Sequence, residues 1–273
     1  MNFHSDDWIM SQLSKHYDEA CTVVPEDRII GVFYQGSGNY GLDYESSDVD
    51  TKCIVAPSLK ELTFGEKMSE TYVRENDEHI DFKDIRLMMD IFKKCNLNFL
   101  EILYSKYYII NPYYEDLWAK IVECRDEIIS NGGDAMLKSM IGIAREKYHA
   151  MEHRYPSRME WINKYGYDPK QLHHLFRLKE FMHRWRNGES FERCLISVEP
   201  EWLIDVKRGH YNLESARRYG KGTIDFMEEM YREMKTDSPA NEEYYKKFDA
   251  TVLDIVLRSV SRETAYRRTY NIE

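Results

Sequence analysis

The chain has 273 residues, of which 42% are hydrophobic and 32% charged, and its formal net charge is −10. This composition excludes a disordered or fibrous chain, and it allows one large domain or two moderate ones. No apolar run reaches membrane-spanning length, and the acidic charge disfavours binding along extended duplex nucleic acid, so we expect a cytoplasmic protein without a membrane partner.

The first predicted elements are a helix over residues 8–17 and a buried strand over 29–35. The strand is predicted by a short apolar run that is rich in β-branched and aromatic residues. It ends in a glycine-rich turn that begins with Gly36 and Ser37. Glycines let the backbone pass close to a ligand, and backbone N–H groups in such a turn bind phosphate oxygens. Gly36 and Ser37 are therefore candidate nucleotide-binding residues.

A second strand, over residues 48–56, is predicted by alternating polar and apolar residues. Because successive side chains on a strand point to opposite faces, Asp48, Asp50 and Lys52 share one face. Two carboxylates this close repel each other unless a cation lies between them, and Mg²⁺ is a cation that carboxylates and phosphates bind together. Asp48 and Asp50 therefore predict a site for Mg²⁺ or Mn²⁺. Lys52 has two open interpretations, as a phosphate-binding residue or as a solvated strand lysine.

The segment from Gly36 to Asp50 resembles a known signature. Gly-Ser, a spacer and Asp-x-Asp on the following strand are similar to the nucleotidyltransferase signature of the DNA polymerase β superfamily. The finer pattern, Gly-Ser-x-x-Tyr-Gly-Leu over 36–42 and Ser-Asp-Val-Asp over 47–50, resembles a bacterial and phage branch described as predicted nucleotidyltransferases. The resemblance implies an α+β fold with a mixed-sheet catalytic domain.

Members of that superfamily use a third carboxylate on a later strand. The chain offers two further predicted strands about a polar turn, over residues 70–75 and 79–83. Asp81 lies between two apolar residues and faces away from both, so the resemblance implies that it is the third metal ligand. Asp84 is the alternative, but it directly precedes an amphipathic run, where a helix N-cap is expected.

Beyond Asp84 nearly every periodic segment predicts a helix. The clearest of these helices begins with Asp168 as its N-cap and Pro169 as its first residue. Lys170 and Arg177 lie off the apolar stripe of this helix and are candidate nucleotide-binding residues. The segment is also similar to the helical half of the same nucleotidyltransferase branch.

The predicted elements divide the chain into two domains. Residues 1–110 form the predicted mixed-sheet nucleotidyltransferase domain, and residues 111–273 form the predicted helical domain. Tyr40, beside the glycine turn, is a candidate for stacking on a nucleotide base, and packing in the core is the alternative.

The resemblance implies metal-dependent transfer of a nucleoside monophosphate from a nucleoside triphosphate, such as ATP, to an acceptor hydroxyl or phosphate. Asp48, Asp50 and Asp81 are the expected catalytic residues and metal ligands. The sequence leaves the acceptor open among an RNA 3′ end, a protein and a small molecule. Two other functions stay open: a catalytically inactive nucleotide-binding sensor or toxin–antitoxin component on the same fold, and a phosphohydrolase that uses water as the acceptor.

Overall fold

The computed structural model of the protein describes residues 3–45 and 47–270, so Ser46 of the glycine–aspartate segment lies outside the described residues. The fold is α+β, as predicted, with a five-stranded mixed sheet and many helices. The strands are β1 (Ile29–Gln35), β2 (Asp50–Val55), β3 (Ser69–Val73), β4 (His79–Asp84) and β5 (Tyr108–Ile110). The helices of the first half are α1 (Asp6–Val23), α2 (Leu59–Phe64), α3 (Ile85–Lys93), α4 (Leu97–Leu100), α5 (Glu115–Glu123) and α6 (Arg125–Ser130). Those of the second half are α7 (Ala135–Ala150), α8 (Met159–Tyr165), α9 (Pro169–Arg186), α10 (Phe191–Leu195), α11 (Pro200–Lys207), α12 (Leu213–Met234) and α13 (Glu242–Tyr270).

The sheet has the strand order β3-β4-β2-β1-β5. Strands β2 and β4 run parallel, and the other neighbouring strands are antiparallel. One face of the sheet packs on α1 through fully buried side chains that include Val32, Cys53 and Phe82. Because only every second side chain of a strand points to this face, β2 and β4 show an alternating sequence pattern. At the start of β2, the polar residues Asp50 and Lys52 belong to the opposite face of the sheet.

Asp84 ends β4 and caps α3, which confirms the prediction of an N-cap. Its carboxylate accepts a hydrogen bond from the backbone N–H of Arg86 at 2.8 Å, and its side chain is fully buried. The guanidinium Nε of Arg86 donates to the same carboxylate at 2.9 Å. Asp84 therefore serves the start of a helix, and it is not the third carboxylate of a site on the sheet.

The described residues form two compact units. The first, here called the sheet unit, comprises the described residues of 3–39, 45–132 and 240–270. The second, the helical unit, comprises Tyr40–Tyr44 and Gly133–Pro239. This division differs from the predicted boundary at residue 110, because α5, α6 and α13 belong with the sheet.

The last helix belongs to the sheet unit because its apolar side packs on α3 and α5. Phe248 meets Phe92 of α3 edge to face, with ring centroids 5.5 Å apart, and Val252 is also buried. Further along α13, Arg258 donates to the carboxylate of Asp116 on α5 at 2.9 Å. Helical periodicity reveals an apolar stripe but not which part of the chain covers it, so the sequence did not predict this packing.

In the helical unit, α7, α9 and α12 pack against one another. Leu175 of α9 and Met227 of α12 are among the fully buried side chains between them. Helix α9 begins where the sequence predicts, since the Asp168 carboxylate accepts from the backbone N–H of Lys170 at 3.0 Å and Pro169 is the first helical residue. No helix in the described part of the chain is both long and apolar enough to cross a membrane.

Candidate functional site

The glycine turn and the first carboxylates lie at the same end of two neighbouring strands of the sheet unit. Gln35, the last residue of β1, is the register partner of Asp50, the first residue of β2. Gly36 and Ser37 follow directly after Gln35. The Ser37 hydroxyl donates to Oγ of Ser47 at 3.0 Å, and this bond ties the turn to the segment that leads into β2.

The turn is held in place by the buried side chain of Tyr34. A Cβ atom at Gly36 would lie 2.6 Å from the Tyr34 hydroxyl oxygen, and one at Gly38 would lie 3.1 Å from it. The backbone N–H of Gly38 donates to that oxygen at 3.2 Å, and the Asn39 amide donates to the Tyr34 carbonyl at 2.8 Å. Core packing therefore requires glycine at position 36 and leaves little room for a side chain at position 38, whether or not the turn also binds phosphate.

A buried network fixes the backbone at Val49, between the first two aspartates. The backbone N–H of Val49 donates to Oε1 of Glu78 at 3.1 Å, and Oε2 of Glu78 lies 3.1 Å from Nε2 of His16. The other ring nitrogen of His16 lies 3.0 Å from the hydroxyl oxygen of Thr51. Burial raises the pKa of Glu78, but hydrogen bonds with His16, Asn76 and the backbone of Val49 outweigh burial and lower the pKa to about 2. The ionised carboxylate of Glu78 thus holds the backbone at Val49 in place.

The carboxylates of Asp50 and Asp81 share one face of the sheet. Lys52 and Asp81 are register partners on the parallel strands β2 and β4, and Asp50 lies two residues before Lys52. Both chain neighbours of Asp81 are fully buried, so Asp81 faces away from the core, as predicted. Asp50 accepts from the backbone N–H of His79 at 2.9 Å, and its Oδ1 lies 3.1 Å from Nδ1 of the same residue. Asp48 lies before β2 and is exposed, so the prediction that it shares the strand face of Asp50 was wrong, because the strand begins only at Asp50.

Two lysines hold the carboxylate of Asp81. Its Oδ2 lies 3.3 Å from Nζ of Lys52, and its Oδ1 lies 3.1 Å from Nζ of Lys83. The hydroxyl of Thr71, on the neighbouring strand β3, lies 3.4 Å from Oδ1. The negative charge of Asp81 is therefore balanced by side chains of the sheet itself.

Lys52 is buried, with 4% of its surface exposed, which excludes its interpretation as a solvated strand lysine. Its ammonium lies 3.9 Å from the centre of the Phe99 ring. Burial lowers the pKa of Lys52, and the nearby carboxylates of Asp81 and Glu101 oppose that shift. Glu101 is itself 4% exposed, and its Oε2 has no hydrogen-bond partner among the described residues. A desolvated cation thus interacts with one paired carboxylate and one poorly satisfied carboxylate.

Carboxylate oxygens are the donors that Mg²⁺ prefers, but the side chains as arranged do not fit a metal ion shared by all three aspartates. Within residues 3–45 and 47–270, no three His, Cys, Asp or Glu side chains are grouped so that they could hold a metal ion. In this arrangement Asp81 is bound by Lys52 and Lys83, while Asp50 is bound by His79. A metal site that includes Asp81 requires that its carboxylate first leaves the two lysines.

Three of the predicted nucleotide-binding residues, Tyr40, Lys170 and Arg177, belong to the helical unit. The Tyr40 ring is 6% exposed, and the guanidinium carbon of Arg177 lies 3.9 Å from its centre. The Nε of Arg177 is buried without a hydrogen-bond partner in the described part of the chain. Lys170 is half-buried at the start of α9. Stacking of a base on Tyr40 and phosphate binding by the two cations stay predictions.

Sequence reasoning did not find four residues that contact the site. His79 and Lys83 have the same strand parity as Asp81, so the alternation of β4 contained a signal for both. Glu78 and Glu101 carried no such signal, because each reaches its partner from a different element of the fold.

A comparison with models of known protein families finds no match to this chain, and a search of curated proteins finds no relative at a significant level. The function is therefore inferred from the residues and geometry of the site.

Proposed function

We propose that the protein is a nucleotidyltransferase with a polymerase β-like fold, which transfers a nucleoside monophosphate from a nucleoside triphosphate to an acceptor hydroxyl or phosphate. One observation carries the proposal: Asp50 and Asp81 share a face of neighbouring parallel strands, near the end of the sheet where the turn at Gly36 follows β1. Nucleotidyl transfer needs acidic groups beside a turn that can bind phosphate, because the reaction depends on positioning and on balancing phosphate charge. A cytoplasmic location, where nucleoside triphosphates are available, is part of the proposal.

In the proposed reaction an acceptor oxygen forms a bond to the α-phosphorus of the triphosphate. The bond from the α-phosphorus to the oxygen that bridges it to the β-phosphate breaks, and pyrophosphate leaves with that oxygen. The proton of the acceptor hydroxyl passes to the carboxylate of Asp81. Lys52 and Lys83, which now neutralise Asp81, turn to the triphosphate oxygens and so free Asp81 to act as the base.

Asp48 and Asp50 are the residues that would hold the Mg²⁺ or Mn²⁺ that accompanies a triphosphate, and the ion supplies further positive charge at the phosphates. Asp48 is exposed and Asp50 is half-buried, so both carboxylates are accessible from solvent. The role of Asp81 as a third ligand stays a prediction, since the lysines occupy its oxygens.

The ion pairs of Asp81 also support a second candidate function, a catalytically inactive nucleotide sensor. A carboxylate that two ammonium groups hold is neither a free metal ligand nor a free base. If a bound triphosphate does not separate Asp81 from Lys52 and Lys83, the site binds a nucleotide and the chemical step does not occur.

The test is incubation with each nucleoside triphosphate, labelled at the α-phosphate, together with Mg²⁺ or Mn²⁺ and with tRNA, total RNA, protein or small-molecule fractions. We expect the unchanged protein to label one fraction and Asp50→Asn to lose that label. Asp77→Asn is the matched control, because Asp77 is exposed and has a φ of 64°, a conformation that asparagine also adopts readily.

Label transfer that Asp50→Asn abolishes and Asp77→Asn preserves supports the transferase. Nucleotide binding without transfer to any fraction supports the sensor instead. Release of labelled monophosphate to water, or transfer that Asp50→Asn does not change, overturns the proposed function.

A further inference from the structure

A cavity of about 690 Å³ lies within the helical unit, between α9, α11 and α12. Its volume falls in the range of sites that bind small molecules. All residues that line it belong to 133–239, so the cavity can be described without reference to the sheet unit. The proposed transfer reaction uses none of them.

One wall of the cavity is a chain of aromatic rings. Phe176 of α9 and Trp202 of α11 are stacked, with centroids 5.1 Å apart and planes 20° from parallel. The indole N–H of Trp202 donates to the hydroxyl of Tyr211 at 3.3 Å, and the Tyr211 ring lies 5.0 Å from that of Tyr219. Trp202 is 37% exposed and Tyr219 is 41% exposed. Large rings that stay open to a cavity of this size offer a stacking surface for a planar ligand.

Two cations that line the cavity have no acidic partner in the part of the chain that the structure describes. Arg218 donates to the hydroxyl of Tyr219 at 3.2 Å, and Nζ of Lys179 lies 5.1 Å from the centre of the Phe226 ring. Within residues 3–45 and 47–270, neither Arg218 nor Lys179 forms an ion pair with a carboxylate, whereas Arg217, the neighbour of Arg218, is paired with Glu152. Both cations are therefore available to an anionic group of a ligand.

Two acidic residues line the cavity: Glu199 is exposed, and Glu180 of α9 is already engaged. Glu180 accepts from the Ser197 hydroxyl and from the backbone N–H of Val198, both at 2.8 Å. Arg184 donates to it at 3.2 Å. Aromatic cages that bind quaternary ammonium groups present rings without competing cations, so Lys179 and Arg218 disfavour a cationic ligand here. The combination favours a ligand that joins a planar ring to an anion.

We propose that this cavity is a second nucleotide site, in which a base stacks on the rings of Trp202 and Tyr219 while a phosphate binds Arg218 and Lys179. Two ligands present a base joined to a phosphate in this way: a free nucleoside phosphate and the end of a single-stranded RNA. The site goes beyond the proposed transferase centre and does not depend on the chemistry there.

Two glycines provide matched variants for a test. Gly222 lines the cavity on α12, and a Cβ placed there meets no atom within 4 Å. Gly142 on α7 is equally open, is exposed, and does not line the cavity. A Cβ atom at either position fits the helix without a clash, and alanine-like helix propensity favours the replacement of a helical glycine. We expect Gly222→Phe to place a ring in the cavity and occupy part of it, and Gly142→Phe is its control.

The experiment measures the anisotropy of a fluorescein-labelled single-stranded RNA of about nine nucleotides, with unlabelled ATP, GTP, CTP and UTP as competitors in the absence of divalent metal. Isothermal titration calorimetry with the same four nucleotides measures their binding directly. Circular dichroism verifies that both variants are folded. We expect Gly222→Phe to weaken binding by about tenfold or more, since base stacking contributes on this scale. Gly142→Phe is expected to bind like the unchanged protein, and Trp202→Ala is expected to weaken binding like Gly222→Phe.

If the labelled RNA binds and the free nucleotides do not compete, the natural ligand is an RNA end. If the free nucleotides bind with the same dependence on Gly222, it is a mononucleotide. Absence of binding by both, or equal binding by Gly222→Phe and Gly142→Phe, overturns the proposal. Failure of the transferase would show instead as absence of label transfer, which this binding experiment does not measure.

Discussion

Lys52 and Asp81 are register partners on two parallel strands, and Nζ of the lysine lies 3.3 Å from Oδ2 of the aspartate. Lys52 is almost fully buried, so its charge depends on this carboxylate and on Glu101. Asp81 therefore has two roles: it is the acidic group proposed for catalysis, and it also stabilises the fold by compensating the buried charge of Lys52.

We predict energetic coupling between these two residues. Lys52→Met should lower the free energy of unfolding by about 1–3 kcal/mol, because it leaves Asp81 and Glu101 without their buried cation. Asp81→Asn should have a cost of its own, and the double variant should cost less than the sum of the two. Urea denaturation of the four proteins measures the coupling. Additive effects would show that the ion pair does not stabilise the fold, and exposed Lys60→Met is the control.

Glu78 should make stability depend on pH in the acidic range. Its pKa is about 2 in the folded protein and is 4.5 as the ordinary value, so the folded state favours the ionised form. The resulting stabilisation is fully present above pH 4.5 and is lost as the pH falls towards 2. The loss amounts to about 3 kcal/mol at most.

Free energies of unfolding from urea denaturation between about pH 6 and pH 2.5 test this dependence. Glu78→Gln should flatten the pH slope, whereas Glu75→Gln, which changes an exposed neighbour, should leave it as it is. If the Glu78→Gln variant shows the same pH slope as the unchanged protein, Glu78 is not the source of the pH dependence.

Asp84→Ala should destabilise the protein by about 2–4 kcal/mol, because it removes the cap of α3 and leaves Arg86 without its buried partner. Asp84→Asn keeps an acceptor for the cap and should cost less. Thermal unfolding of both variants gives the comparison. Equal effects of the two replacements would indicate that charge alone, and not capping, is the contribution of Asp84.

Divalent metal alone should stabilise the protein little, because Asp81 is bound by lysines and Asp50 by His79. Mg²⁺ together with ATP should raise the Tm by about 2–4 °C or more once ATP exceeds its Kd. Differential scanning fluorimetry measures both shifts. Asp50→Asn should reduce the second shift and Asp77→Asn should retain it. A rise with Mg²⁺ alone that equals the rise with Mg²⁺ and ATP would show a metal site that is already assembled.

Local features of the fold were predicted well from the sequence. The apolar run of β1, the alternation of β4, and the caps at Asp84 and Asp168 depend on neighbouring residues, and the structure confirms each of them. Strand β2 is also present, but it begins at Asp50 and is buried at all of its residues after Asp50, so the predicted half-buried alternation is not seen there. The direction of Asp81 away from the core is also confirmed, because the two flanking apolar residues are fully buried.

Features that depend on pairing between distant segments were not predicted. The short strand β5 has three residues and gives too weak a pattern to be recognised. The contact of Lys52 with Asp81 requires the parallel register of β2 and β4, which alternation within one strand does not reveal. The place of α13 beside α3 has the same cause, since its apolar stripe could have been covered by any other apolar surface.

The ring of Tyr34 occupies the space that a side chain at position 36 would need, and it leaves little room for one at position 38. A descendant of this protein that had lost every catalytic property would still be held to glycine at position 36 by this packing. Persistence of the glycine turn in such a lineage would thus be a poor marker of activity, and the identities at positions 48, 50 and 81 would be the informative ones.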